Sequence, residues 1–137
     1  MDNTRDIPGY KHYLTPEGER PAVRVAFLDL EEDPAATVNG VCFPVIGLEQ
    51  LDARERNYVR RDVSGLVRGA AGRVWAYFGS PEARRRRSEG DVVVCREYLE
   101  AVARGFRRLG EAEHRAFIDS TDPGTLPVWD LVRVDHP

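Results

Sequence analysis

The hydrophobic period of this chain changes along its length, and that change constrains the fold more than any other feature. From Pro21 the period is two: Val23, Val25 and Phe27 alternate with Arg24 and Ala26, the pattern of a strand with one covered face. From Arg96 to Leu109 it is three to four. Leu99, Val102, Phe106 and Leu109 follow that step and predict an amphipathic helix. A second helix, Glu111 to Asp119, is expected after Gly110. Between these extremes, Asp33-Pro34 marks a turn and Thr37 to Ile46 reads as a second strand. Gly40 there suggests a bulge or a close backbone approach, and Pro44 limits pairing near the far end. Residues 48–56 read as a short helix. Tyr58 to Val67 and Arg73 to Phe78 read as strands separated by a turn at Gly69 to Gly72. The run Arg84 to Arg87 opens a polar, solvated loop that ends near Asp91, and Leu126 to Val134 returns as a short strand. Residues 1–20 read as polar and turn-rich.

Strands first and helices later, with hairpin-length connections between, predict an α+β domain. Its expected architecture is a small, mostly antiparallel or mixed, barrel-like sheet with flanking helices. The 137 residues, 42% of them hydrophobic, suffice for one domain over 1–137 with a core of its own. Trp75 and Trp129 are expected in that core.

Charge narrows the function classes. Nineteen arginines and one lysine, Lys11, face twenty-three acids, for a net charge of −3, which argues against a general nucleic-acid binder. The arginine skew fits a GC-rich bacterial genome. No apolar run approaches eighteen residues, so no membrane partner is expected. The start, Met-Asp-Asn-Thr-Arg-Asp, is unlike a signal peptide, and Cys42 and Cys95 are expected as free thiols, which together point to the cytoplasm. His12, His114 and His136 have no metal-ligand spacing and read as surface residues; no metal is expected.

The sharpest chemical feature lies in the short helix. Leu48, Leu51 and Glu55 stand at i, i+3 and i+7 and share one face, so leucines that meet the sheet carry Glu55 inward with them. Desolvation of a carboxylate raises its pKa, which suits proton shuttling near neutrality. The alternative is a frayed helix end where Glu55 pairs with Arg54, Arg56 or Arg60. Tyr77 and Tyr98 are candidates for lining a pocket and hydrogen-bonding a substrate; core packing is the other reading of each.

Several motifs occur in order. Val38-Asn39-Gly40-Val41 precedes Leu51-Asp52-Ala53-Arg54-Glu55-Arg56-Asn57-Tyr58; Trp75-Ala76-Tyr77-Phe78 and Cys95-Arg96-Glu97-Tyr98-Leu99 follow. Over roughly residues 21–109 this set resembles gamma-glutamyl cyclotransferase-like proteins. In that family a hydrophobic-x-Gly-hydrophobic strand leads to a helix ending in Leu-Asp-x-x-Glu. The resemblance implies that Glu55 is the catalytic glutamate. It also implies that the substrate is a small γ-glutamyl amine, amino acid or peptide, cyclised to 5-oxoproline with release of the amine. No cofactor is implied.

The family's opening strand and its Tyr-Gly-Ser-Leu loop, whose backbone N–H groups hold the substrate carboxylate, have no counterpart here. Tyr77-Phe78-Gly79-Ser80 reads instead as a strand-to-turn transition. The expectation is a start at an internal methionine, without that strand and loop. The competing expectation is a non-catalytic small-ligand or protein-interaction domain of the same fold.

Overall fold

A computed structural model describes residues 1–86, 90–122 and 124–136. Its elements, in order, are β1 (Lys11–Leu14), β2 (Arg24–Ala26), α1 (Glu49–Arg54), β3 (Tyr58–Asp62), β4 (Trp75–Gly79), α2 (Pro81–Arg86), β5 (Val92–Cys95), α3 (Arg96–Leu109), α4 (Glu111–Asp119), β6 (Val128–Trp129) and β7 (Val132–Asp135). The α+β class expected from the sequence holds. The chain forms two compact units, one of Leu28–Arg86 and one of Met1–Phe27 with the described part of Arg87–Pro137.

The unit holding both chain ends contains a three-stranded parallel sheet, β2-β5-β6, in which Val25 faces Val93 and Val94 faces Val128. Parallel neighbours need a crossover, and α3 with α4 supplies it between β5 and β6. A separate antiparallel pair joins β1 to β7, from Lys11 opposite Asp135 to Leu14 opposite Val132. Tyr13, Val23, Val25, Val93, Cys95 and Leu131 form the buried core, with Met1, Phe27 and Tyr98 against it. Helices α3 and α4 meet through Phe106 and Phe117, whose rings stack at 4.2 Å. Between them Gly110 takes φ 131, a backbone state that side chains disfavour, so the helix ends there and a new one begins.

In the unit Leu28–Arg86, β3 and β4 form a two-stranded antiparallel hairpin. The hydrogen bond from Val63 N–H to Val74 C=O continues it toward the glycine-rich turn.

Several expectations need correction. Among the described residues none of the three sheets closes into a barrel; two are antiparallel and the largest is parallel, a mixed arrangement. The expected strand Thr37 to Ile46 is not a strand. No described strand hydrogen-bonds to it, and Val41, Phe43 and Ile46 are exposed, because apolar alternation alone supplies no partner for the backbone groups. Conversely, the turn-rich opening contains β1. Arg84 to Arg86 lie in α2 rather than in a loop, while Arg87 lies outside the described residues. The cue for α2 was present: Ser80 precedes Pro81, and its hydroxyl accepts the Ala83 N–H at 3.1 Å. Trp129 is exposed rather than core, as are Leu99 and Leu109; the covered stripe of α3 is Tyr98, Val102 and Phe106. Both cysteines are free thiols.

Candidate functional site

Helix α1 covers the face expected of it: Leu48, Leu51 and Glu55 are half-buried, whereas its intervening residues are exposed. Glu55 stands one residue past the helix, as its C-cap. Its N–H donates to Leu51 C=O at 2.8 Å and its C=O accepts the Tyr58 N–H at 2.9 Å, so one peptide unit couples the end of α1 to the start of β3. The side chain is 27% exposed. Its Oε1 receives both Nε and Nη2 of Arg54, each at 3.0 Å. Arg54 is itself well exposed. The pairing therefore matches one of the arginines expected to compete for this carboxylate, and an exposed partner of this kind is held weakly.

The hairpin presents a second group beside the helix. Cross-strand partners and alternate residues share a face, so Tyr58, Arg60, Trp75 and Tyr77 lie on one side of it, with Arg60 directly opposite Tyr77. Asp52, one turn before Glu55, reaches this face. Its Oδ1 accepts the Tyr77 hydroxyl at 2.7 Å, and its Oδ2 lies 3.0 Å from Arg60 Nη1. The arginine contact is ionic rather than an aligned hydrogen bond. The Arg60 guanidinium also stands 4.8 Å above the Trp75 ring, where the π-face favours a cation. Desolvation, and then the Asp52 hydrogen bond, push the Tyr77 phenol above its ordinary pKa, which keeps it a donor at neutral pH.

A third cluster sits at the β4–α2 corner. Asp29 accepts the Gly79 N–H at 2.5 Å and pairs with Arg84 Nε at 3.0 Å, while Arg84 Nη2 donates to Leu30 C=O at 2.7 Å. Arg61 pairs with Glu32. The acidic stretch 29–32 thus neutralises two arginines that would otherwise suit a phosphate. Tyr77-Phe78-Gly79-Ser80 is the passage from β4 into α2, as a strand-to-turn reading of it requires.

Of the three expected site residues, Glu55 and Tyr77 belong to the unit Leu28–Arg86. Tyr77 meets Asp52, the neighbouring carboxylate. Tyr98 belongs to the other unit, on α3, where it packs edge-on against Phe27 at 5.0 Å. Two surface hollows, one along α4 and one lined by Pro16, Arg96, Glu97 and Asp130, include none of the three. From the sequence Asp52 had no site role of its own, and Arg60 entered only as a possible partner of Glu55. The spacing of Asp52 from Glu55 was a usable signal, but the Arg60–Tyr77 register depends on the hairpin pairing.

Fold and site define an α+β protein with a carboxylate–tyrosine–arginine cluster where a short helix meets a hairpin. No family model, no curated protein and no solved structure matches the chain.

Proposed function

We propose that this chain is a gamma-glutamyl cyclotransferase-like protein of the cytoplasm that acts on a small γ-glutamyl amine, amino acid or peptide. The observation that carries the reading is the position of Glu55: half-buried at the end of α1, one turn from Asp52, and held by a single exposed arginine. Asp52 is committed to Tyr77 and Arg60. Glu55 is the carboxylate that can exchange its partner for a substrate ammonium.

In the proposed reaction the substrate's α-amino nitrogen attacks its own γ-carbonyl carbon. A C–N bond forms as the ring closes, and the amide C–N bond to the leaving amine breaks. Glu55 takes one proton from the ammonium before attack and passes it to the departing nitrogen. The attacking nitrogen gives up a second proton as the lactam forms, and the released amine takes it up as ammonium, so protons balance. Both reacting atoms belong to one molecule, and the protein's contribution is to hold the ring-closing conformer. Tyr77, in the same unit as Glu55, is the proposed substrate contact.

A non-catalytic domain of the same fold is the second reading. It is favoured by the stretch 37–46, which the resemblance makes a strand and which lies outside every described strand, with Val41, Phe43 and Ile46 exposed. The deciding experiment is release of 5-oxoproline from a panel of γ-glutamyl compounds. It uses this chain, a version preceded by a Tyr-Gly-Ser-Leu strand and loop, and Glu55→Gln in each. Turnover that Glu55→Gln abolishes without loss of folding supports the enzyme. No turnover from either folded chain sinks it, and full activity in Glu55→Gln removes Glu55 from the role.

A further inference from the structure

His12 and His136 stand 124 positions apart in the chain, yet Nδ1 of His12 lies 2.9 Å from Nε2 of His136 and their ring centroids are 4.6 Å apart. They meet at the outer end of the β1–β7 ladder. Lys11 faces Asp135 and His12 faces Val134, and beyond the last pair the His136 N–H donates to Tyr10 C=O at 2.7 Å. The inner end of β7 is fixed independently. Leu131, just before it, is buried, and its C=O accepts the buried Cys95 thiol at 3.4 Å. The strand is therefore rooted in the core and fastened at its tip by two imidazoles.

The charged groups around the pair are few. Asp6 Oδ1 lies 3.6 Å from His136 Nε2 and is itself held by Arg20 at 2.6 Å. Arg20 is fixed in place by donating to the carbonyls of Asn3 and Arg5. On β1 the Lys11 ammonium is turned over the Tyr10 and Phe27 rings, and on β7 Arg133 pairs with Asp135. The imidazoles thus face one anion and one cation. Among the described residues no group of three or more His, Cys, Asp or Glu side chains is placed to hold a metal. Arg20 beside Asp6 further disfavours one, so the chemistry open to the pair is proton binding.

We propose that His12 and His136 form a proton-operated latch on the tip of β7, closed with at most one added proton and opened by the second. With both rings neutral, one ring N–H donates to the bare nitrogen of the other. One added proton leaves a charge-assisted N–H⁺···N bond, balanced by Asp6. A second places hydrogens on both facing nitrogens. No acceptor then remains between them, and His12, His136 and Arg20 surround a single carboxylate. β7 frays from its tip toward Leu131.

The direction of the pH effect follows from the surroundings. Desolvation, then Arg20 and His136, hold His12 below its ordinary imidazole value of 6.5. The opened state therefore binds protons more readily than the closed one, and closure is lost as pH falls below that value.

The test is the hydrogen-exchange protection of the His136 amide between neutral pH and mildly acidic pH, in the full chain and in His12→Gln. Glutamine keeps a polar partner and cannot titrate. Protection is expected to fall roughly tenfold in the wild type and to stay within about twofold in the variant. An equal fall in both chains overturns the proposal, as does a flat wild-type profile. Should His12→Gln not fold, ring-nitrogen NMR titration of the wild type decides. Two coupled steps support the latch, and independent single-step titrations of the two rings at ordinary values overturn it.

Discussion

Asn3 holds the peptide of Tyr13 from both sides, accepting its N–H on Oδ1 at 2.7 Å and donating from Nδ2 to its C=O at 2.9 Å. The same Nδ2 donates to Pro21 C=O at 3.0 Å, and the Asn3 backbone N–H reaches Val23 C=O at 3.0 Å. The side chain is fully buried, the one polar side chain in that state among the described residues. It ties the opening segment, β1 and the approach to β2 into one arrangement, and only an amide offers both donors and acceptor there.

Asn3→Ala is expected to lower stability by about 2–4 kcal/mol, because it strands buried N–H and C=O groups rather than removing whole pairs. Asn3→Asp keeps the acceptor but aims a carboxylate at two carbonyls, so its loss should ease at low pH as the acid protonates. Urea denaturation across pH measures both; a change under about 0.5 kcal/mol for Asn3→Ala would show that the network is incidental.

Gly79→Ala should destabilise the unit Leu28–Arg86 by roughly 1–3 kcal/mol. A Cβ at Gly79 would overlap the Asp29 carboxylate, which also accepts the Gly79 N–H and pairs with Arg84. The check is a double-mutant cycle with Asp29→Ala. The cost of the added methyl should shrink markedly once that carboxylate is gone, whereas additive losses would place the strain elsewhere.

Alkaline pH should weaken the fold through its tyrosines. Burial pushes the Tyr13 phenol far above its ordinary value, and desolvation followed by the Asp52 hydrogen bond raises Tyr77. Above about pH 10 the unfolded chain releases phenolic protons that the folded chain retains, so stability is whole below that pH and falls as pH rises through it. Tyr13→Phe should flatten the profile. In Asp52→Asn the phenolate absorbance of Tyr77 should appear at lower pH but remain above the free value, since desolvation is the larger cause. An unchanged Tyr77 titration would dismiss the Asp52 hydrogen bond.

Ile46→Ser should change stability by no more than about 0.5 kcal/mol, because the side chain is fully exposed in this chain. A loss of about 2 kcal/mol or more in thermal or urea unfolding is what burial in a sheet would give, and would restore the strand reading of Thr37 to Ile46.

What the sequence alone determined is local. The helix Arg96–Leu109, its break at Gly110, the second helix Glu111–Asp119 and the hairpin of β3 and β4 follow from spacing and turn chemistry. A helix hydrogen-bonds to itself within four residues, and a short hairpin within a few more. The shared face of Leu48, Leu51 and Glu55 was legible for the same reason, since it depends only on helical geometry. Tertiary structure decided everything that needed a distant partner. β1 is a strand because β7 lies beside it, 124 positions away between Lys11 and Asp135 at one end of the register, and β6 runs parallel to β5 because α3 and α4 carry the chain back. The stretch 37–46 has the apolar content of a strand but finds no ladder, and a strand without a partner leaves its backbone groups to solvent. Asp52 with Tyr77, Asn3 with Tyr13, and His12 with His136 are matches between residues that no periodicity relates. Spacing along the chain fixes which way a side chain points, whereas only the folded backbone fixes what it meets.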